Sequence, residues 1–287
     1  MRYLYLVKCA TLPVAMSLKK VLPYILATLL LGFLMGMVQT PKVLLKGKTG
    51  NQVNAQESIE GYFYLPVGSS NVSAISQQDY VGIIGRFIAH NYNRVVSETG
   101  LPLYVALEWE NPYFGAFAKK NSDTMQISLW GGMARAPGAT PGALAAILCH
   151  ELGHIVGGQP RQTIPGVEWS SSEGQSDFFA ASQCLPSFLN KYPDLVSSFD
   201  PEVMAVCKEN LTCARTLQAG LEMSRLLQKY SYREYVPVSL NVTEKETAEL
   251  LRNKYPSDQC RLDTFKNGAL CQLGNSCRAP SCWFPKE

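Results

Sequence analysis

Apolar positions between Asp79 and Ser97 fall at Val81, Ile83, Ile84, Phe87, Ile88, Tyr92 and Val95. That is helical spacing and predicts an amphipathic helix. Leu101 to Glu108 is a run of mostly apolar residues and reads as a strand; Thr124 to Trp130 reads as a second. Pro141 to Val156 is apolar almost throughout. It predicts a buried helix, with Pro141 suited to the first turn and Gly157-Gly158 to the end. Val167 to Leu185 is mostly a helix, Pro201 to Tyr230 a long one, and Thr243 to Tyr255 a further one that stops before Pro256. The expected fold class is α+β: a mostly helical domain with a small β-sheet and a cysteine-rich C-terminal tail.

The N-terminal pattern is different. Val21 to Val38 is a run of eighteen uncharged residues preceded by Lys19 and Lys20. Such a run is a signal peptide or a membrane anchor and stands outside the fold. The expected organisation is a targeting or anchoring segment at 1–41, a linker at 42–78, the main domain at 79–255 and a cysteine-rich extension at 256–287.

The buried helix carries the chemistry. Residues 149–154 read Cys-His-Glu-Leu-Gly-His. Two histidines four apart share a helix face, with Cβ atoms roughly 5–6 Å apart. Placed so, His150 and His154 can grip one zinc ion and leave coordination positions open, with Glu151 beside them as a general base that is not itself a ligand. The chain has only 3 histidines, so this pairing is hard to assign to chance. A third ligand is needed. One known extension of the motif puts a histidine where Pro160 stands, and His90, a structural histidine by its context, lies far upstream on another helix. A downstream carboxylate is therefore favoured, from Glu168, Glu173 and Asp177. Glu173 is the choice, although Ser170-x-x-Glu173 also fits a capping box. Asp177, one turn later, shares its face and can accept the outer N–H of a ligand histidine, which fixes that ring.

The segment from about Leu101 to Ala181 resembles the gluzincin metallopeptidases related to HtpX and the CAAX prenyl proteases, including their soluble periplasmic relatives. The resemblance is carried by Met125-Gln126-Ile127-Ser128-Leu129-Trp130-Gly131-Gly132 as strand and turn, by the His150–His154 helix, and by Glu173 to Asp177 as ligand helix. Asn111 to Ala118 resembles, with insertions, the family's Asn-Ala-Phe-Ala segment. It implies a zincin-like fold and a zinc-dependent endopeptidase with one zinc per chain. One departure matters: where many relatives have His-Pro followed by Arg, this chain has Tyr255-Pro256 and then Arg261. Tyr255 and Arg261 are the candidate donors to an oxyanion. Gln126, Ser128, Trp130 and Gly131 are the candidate substrate contacts, with a peptide added as a strand along Thr124–Trp130.

Composition narrows the partners. A net charge of +3 with 17% charged residues gives no footing for nucleic acid. The expected partner is a protein or peptide substrate, with a membrane contact through the N-terminal segment where it stays uncleaved. The oligomeric state is left open. Of the 9 cysteines, eight lie beyond Cys9, none in a C-x-x-C pair. An even set in an exported chain suggests disulfides rather than a second zinc site. Periplasmic or outward-facing, membrane-anchored placement follows. A competing reading is a zinc-bearing envelope chaperone or assembly factor without catalysis; a weaker third makes Cys149 a nucleophile.

Overall fold

The computed structural model describes residues 63–230, 236–274 and 277–285. The apolar run at 21–38 and the segment assigned to 1–41 lie outside them. No helix among the described residues is long and apolar enough to cross a membrane.

Helices dominate, with one three-stranded sheet. Helix α1 (Gln77–Thr99) starts at Ser76, whose hydroxyl accepts from Asp79 N while Asp79 bonds back to Ser76 N, a capping box. It ends at Gly100, whose φ of 72° suits a residue without a Cβ. The expected linker at 42–78 is corrected at its C-terminal end. Leu65 and Ile75 are buried, and the Leu65 carbonyl accepts from the Arg135 guanidinium.

Strands β1 (Leu103–Glu108), β2 (Ala116–Lys120) and β3 (Met125–Trp130) stand in the order β1-β3-β2. β3 is parallel to β1 and antiparallel to β2. β2 was not expected as a strand: it is short, half-exposed and ends in Lys119-Lys120, so it lacks the apolar run that marks β3. A one-turn helix, α2 (Gly131–Arg135), follows β3 directly. Its Gly132 is enforced by packing, since a Cβ there would lie 2.2 Å from the Pro112 carbonyl oxygen.

Helix α3 (Pro141–Val156) is the spine. Thr140 caps it, and every residue from Gly142 to Val156 is buried between α1, the sheet and the later helices. Helix α4 (Glu173–Phe179) crosses it, capped by Ser172 rather than Ser170. A π-turn (Ala180–Cys184) leads into α5 (Leu185–Lys191). The expected helix from Val167 therefore begins only at Glu173.

The expected long helix at 201–230 is two, α6 (Pro201–Cys207) and α7 (Leu211–Tyr230). Lys208 and Glu209 take left-handed φ values of 49° and 62°, Asn210 caps α7 through Cys213 N, and a Cys207–Cys213 disulfide staples the break. The helix expected at 243–255 does not form. Its many charges give no apolar stripe, and its backbone is spent elsewhere: Glu244 N donates to Asp263, and Leu251 N to the Trp283 carbonyl. The helix comes later, as α8 (Asp258–Leu270), capped by Ser257. Phe265 on α8 belongs to the main core and Trp283 is fully buried, so residues 256–285 are part of the packed domain and not a separate extension.

Candidate metal centre

α3 presents His150, Glu151 and His154, all buried, toward the N-terminus of α4. The crossing is close because Gly153 has no side chain: a Cβ would sit 2.7 Å from Ser176 Cα. That approach brings the Glu173 carboxylate to 3.2 Å from His150 Nε2 and 3.6 Å from His154 Nε2. One donor atom from each of the three lies within 4.8 Å of the others.

The far side of each ring is fixed. His150 Nδ1 lies 2.7 Å from Asp177 Oδ1. His154 Nδ1 lies 2.9 Å from the Ser171 carbonyl oxygen, which can only accept. Both Nδ1 atoms therefore carry a proton, and both Nε2 atoms turn toward Glu173. Asp177 is itself held by Arg261, whose Nε and Nη2 donate to its two oxygens at 2.8 and 2.9 Å. Sequence reasoning missed the Ser171 carbonyl, because a backbone acceptor leaves no mark on residue identity.

Electrostatics follow the geometry. Burial raises the Asp177 pKa, but Arg261 and His150 overcome it and hold the carboxyl down at about 2. Glu173 is likewise brought to about 2, against its burial, by the two histidines. Burial opposes charge on His150, yet Asp177 and Glu173 raise it to about 10. A buried carboxylate facing two imidazole nitrogens thus demands a cation, whether a proton on His150 Nε2 or a metal ion. Two imidazoles and a carboxylate are a zinc donor set. A proton on His150 Nε2 can serve Glu173 Oε2 at 3.2 Å but leaves Glu151 Oε2 buried without a hydrogen-bond partner, and the donor set of the three residues fits a metal ion. Glu151 is pushed above the usual carboxylate range by burial, with the histidines pulling the other way.

The cluster floors a cleft of about 490 Å³. Residues Phe114 to Ala118 form one wall; Trp169, Tyr255 and Arg261 line others. Tyr255 is 62% exposed, and the adjacent Glu173 charge, helped by desolvation, pushes its phenol up to about 12. The substrate contacts expected on β3 are corrected. β3 is the middle strand, paired through all six residues to β1 and over five to β2, so Gln126, Ser128 and Trp130 have no open backbone edge to offer. Gly131 is walled in by the Trp109 carbonyl. β2 is the strand that borders the cleft, and the resemblance of Asn111–Ala118 to a family segment was the signal for it. The other acids and histidine stay away: Glu168 accepts from Gly166 N, and His90 bonds Ser187.

All eight cysteines beyond Cys9 are paired, as 149–184, 207–213, 260–282 and 271–277. Cys149 has no thiol to attack with. Set beside protein-family models, curated proteins and solved structures, the chain matches none, and its function is argued from this geometry.

Proposed function

We propose that the chain is an exported zinc metalloendopeptidase with a zincin-like domain of the gluzincin, HtpX-related kind. The observation that carries the reading is the convergence of His150 Nε2, His154 Nε2 and the Glu173 carboxylate at the floor of an open cleft, each ring locked from behind. Bound there, a zinc ion supplies Lewis acidity toward a peptide carbonyl and an attacking water. Glu151, with a buried oxygen left unpartnered beside the cluster, takes the proton from the water and delivers it to the leaving amine. Tyr255 keeps its proton at any working pH and can donate it to the oxyanion. Arg261 spends Nε and Nη2 on Asp177, so its first duty is to position that carboxylate.

The peptide is taken along the outer edge of β2. Gly115 O accepts from Trp130 N, so residues 115, 117 and 119 face β3, and Ala116 and Ala118 turn their backbone groups outward. Backbone pairing of this kind gives loose sequence preference. Four disulfides support an oxidising compartment.

The test is Glu151→Gln, with metal analysis beside it. Both wild type and variant should hold equimolar zinc, while casein hydrolysis falls by about 10²–10⁴-fold in the variant. Zinc-free protein, or full activity in the variant, would overturn the reading. Zinc without hydrolysis in the wild type would favour a non-catalytic chaperone.

A further inference from the structure

We infer that Asn253 is a positioning residue: it ties the segment carrying Tyr255 to the segment that seats His154, and so sets where the Tyr255 phenol stands in the cleft. The inference starts from what holds Tyr255. Its side chain lines the cleft, with the phenol turned toward the Glu173 carboxylate. Yet it lies in a stretch that is neither helix nor strand. Among the described residues, no backbone hydrogen bond ties 252–255 to another segment. The nearest backbone anchors are Leu251 N, which donates to the Trp283 carbonyl at 3.1 Å, and the Ser257 carbonyl, which accepts from Arg261 N at 2.9 Å. Between those anchors, side chains make the connection. Asn253 Oδ1 accepts from Thr163 N at 2.8 Å, and Asn253 Nδ2 donates to Thr163 Oγ1 at 2.7 Å. Arg252 Nη1 adds a longer bond to the Arg161 carbonyl, at 3.3 Å.

The far end of this tie reaches the candidate metal centre. Residues 160–162 run antiparallel to 170–172: Gln162 N donates to the Ser170 carbonyl and Ser172 N to the Pro160 carbonyl, both at 2.9 Å, and Arg161 bridges Ser171. Ser171 in turn donates its N–H to the His154 carbonyl at 3.0 Å and accepts from His154 Nδ1. Thr163 follows directly on this ladder. One path of hydrogen bonds therefore runs from a candidate zinc ligand, through Ser171 and 161–163, to the residue two places before Tyr255. Asn253 is exposed and stands outside the cleft lining, so any effect it has on chemistry passes through Tyr255. A donor aimed in advance costs no reordering when the oxyanion forms. The Thr163 N–H fixes the amide, since it requires Oδ1 and leaves Nδ2 for the hydroxyl. Aspartate can replace both bonds: one carboxylate oxygen accepts from the N–H, and the Thr163 hydroxyl rotates to donate to the other. Alanine replaces neither.

The tie stands on geometry alone; its effect on turnover rests on the peptidase reading. Both are tested in the full chain loaded with zinc. In casein digestion, Asn253→Ala should lower kcat about tenfold with KM within about twofold, and Asn253→Asp should recover most of the loss. Tyr255→Phe should itself lower kcat. In that background Asn253→Ala should add less than about twofold, because the group it aims is gone. The same loss in both backgrounds, or a fully active Tyr255→Phe protein, would overturn the inference. A second readout needs no activity. With meta-fluorotyrosine placed at position 255, the fluorine resonance of the folded chain should stand apart from that of the urea-unfolded chain. Asn253→Ala should move it toward the unfolded position, and Asn253→Asp should leave it near wild type. A resonance that alanine does not move would overturn the tie. A resonance that alanine moves and aspartate keeps, in a chain inert toward casein, would keep the positioning of Tyr255 and remove the peptidase reading instead.

Discussion

Asp177 is a residue on which much of the candidate site turns. It is fully buried, accepts from His150 Nδ1 and is gripped by two nitrogens of Arg261. Asp177→Asn keeps the shape and removes the charge, so zinc affinity measured by chelator competition should fall about 10–100-fold. An unchanged affinity would show that His150 needs no orienting partner. The same carboxyl sets a pH dependence in chelated protein. Its folded pKa of about 2 lies below the unfolded 3.8. Its contribution to stability is therefore complete above the higher value and is lost as pH falls through the lower one. Urea unfolding should show wild type and Asp177→Asn converging over that window and separated above it. His150, His154, Glu173 and Asp177 were legible in the sequence because i, i+4 spacing on a helix is a local fact. Arg261 was found only through the resemblance, and as an oxyanion donor. Its bond to Asp177 spans 84 residues, and no local pattern reports what lies across such a distance.

Among elements, the crossing of α3 and α4 is what turns two sequence motifs into one cluster. Gly153 permits it, since the neighbouring atoms are Ser176 Cα and O, both backbone and unable to rotate aside. Gly153→Ala should push α4, and Glu173 with it, away from the histidines. The expected loss is about 1–3 kcal/mol in urea unfolding, with weaker zinc binding in the folded protein. Wild-type stability and zinc affinity in the variant would show the helices are not locked by this contact. Legibility at this scale followed the strength of the apolar pattern. β3 and α3 are buried nearly throughout and were readable. β2 has one face in solvent and carries two lysines, so it was missed, and with it the strand order that denies β3 an open edge. The α6–α7 break went unread because apolar spacing runs on through it. Asn210, an N-cap residue three positions before Cys213, was the available signal.

Over the whole molecule, the C-terminal segment acts on the candidate metal centre from behind. The sequence suggested a cysteine-rich extension at 256–287 apart from the main domain. It builds a small buried cluster, Cys260, Cys282 and Trp283 with Phe178, Leu250 and Leu251 packed against it, and gives Phe265 to the main core. Trp283 is fully buried, its Nε1 donates to Thr264 Oγ1, and its ring lies against Gly174, where a Cβ would come within 2.2 Å. Gly174 directly follows Glu173. The Cys260–Cys282 disulfide ties the tryptophan's neighbour to the residue before Arg261. The last residues thus bear on a ligand from one side and on the Asp177 clamp from the other. Trp283→Ala should cost about 3–5 kcal/mol in urea unfolding and leave a cavity beside α4. Trp283→Phe, which refills most of that space, should restore a large part of the stability. If the tail only adds stability, zinc affinity of the folded Trp283→Ala protein will match wild type. If it also seats Glu173, affinity will fall in the alanine variant and recover in the phenylalanine one, and that second pattern is the one the packing against Gly174 predicts.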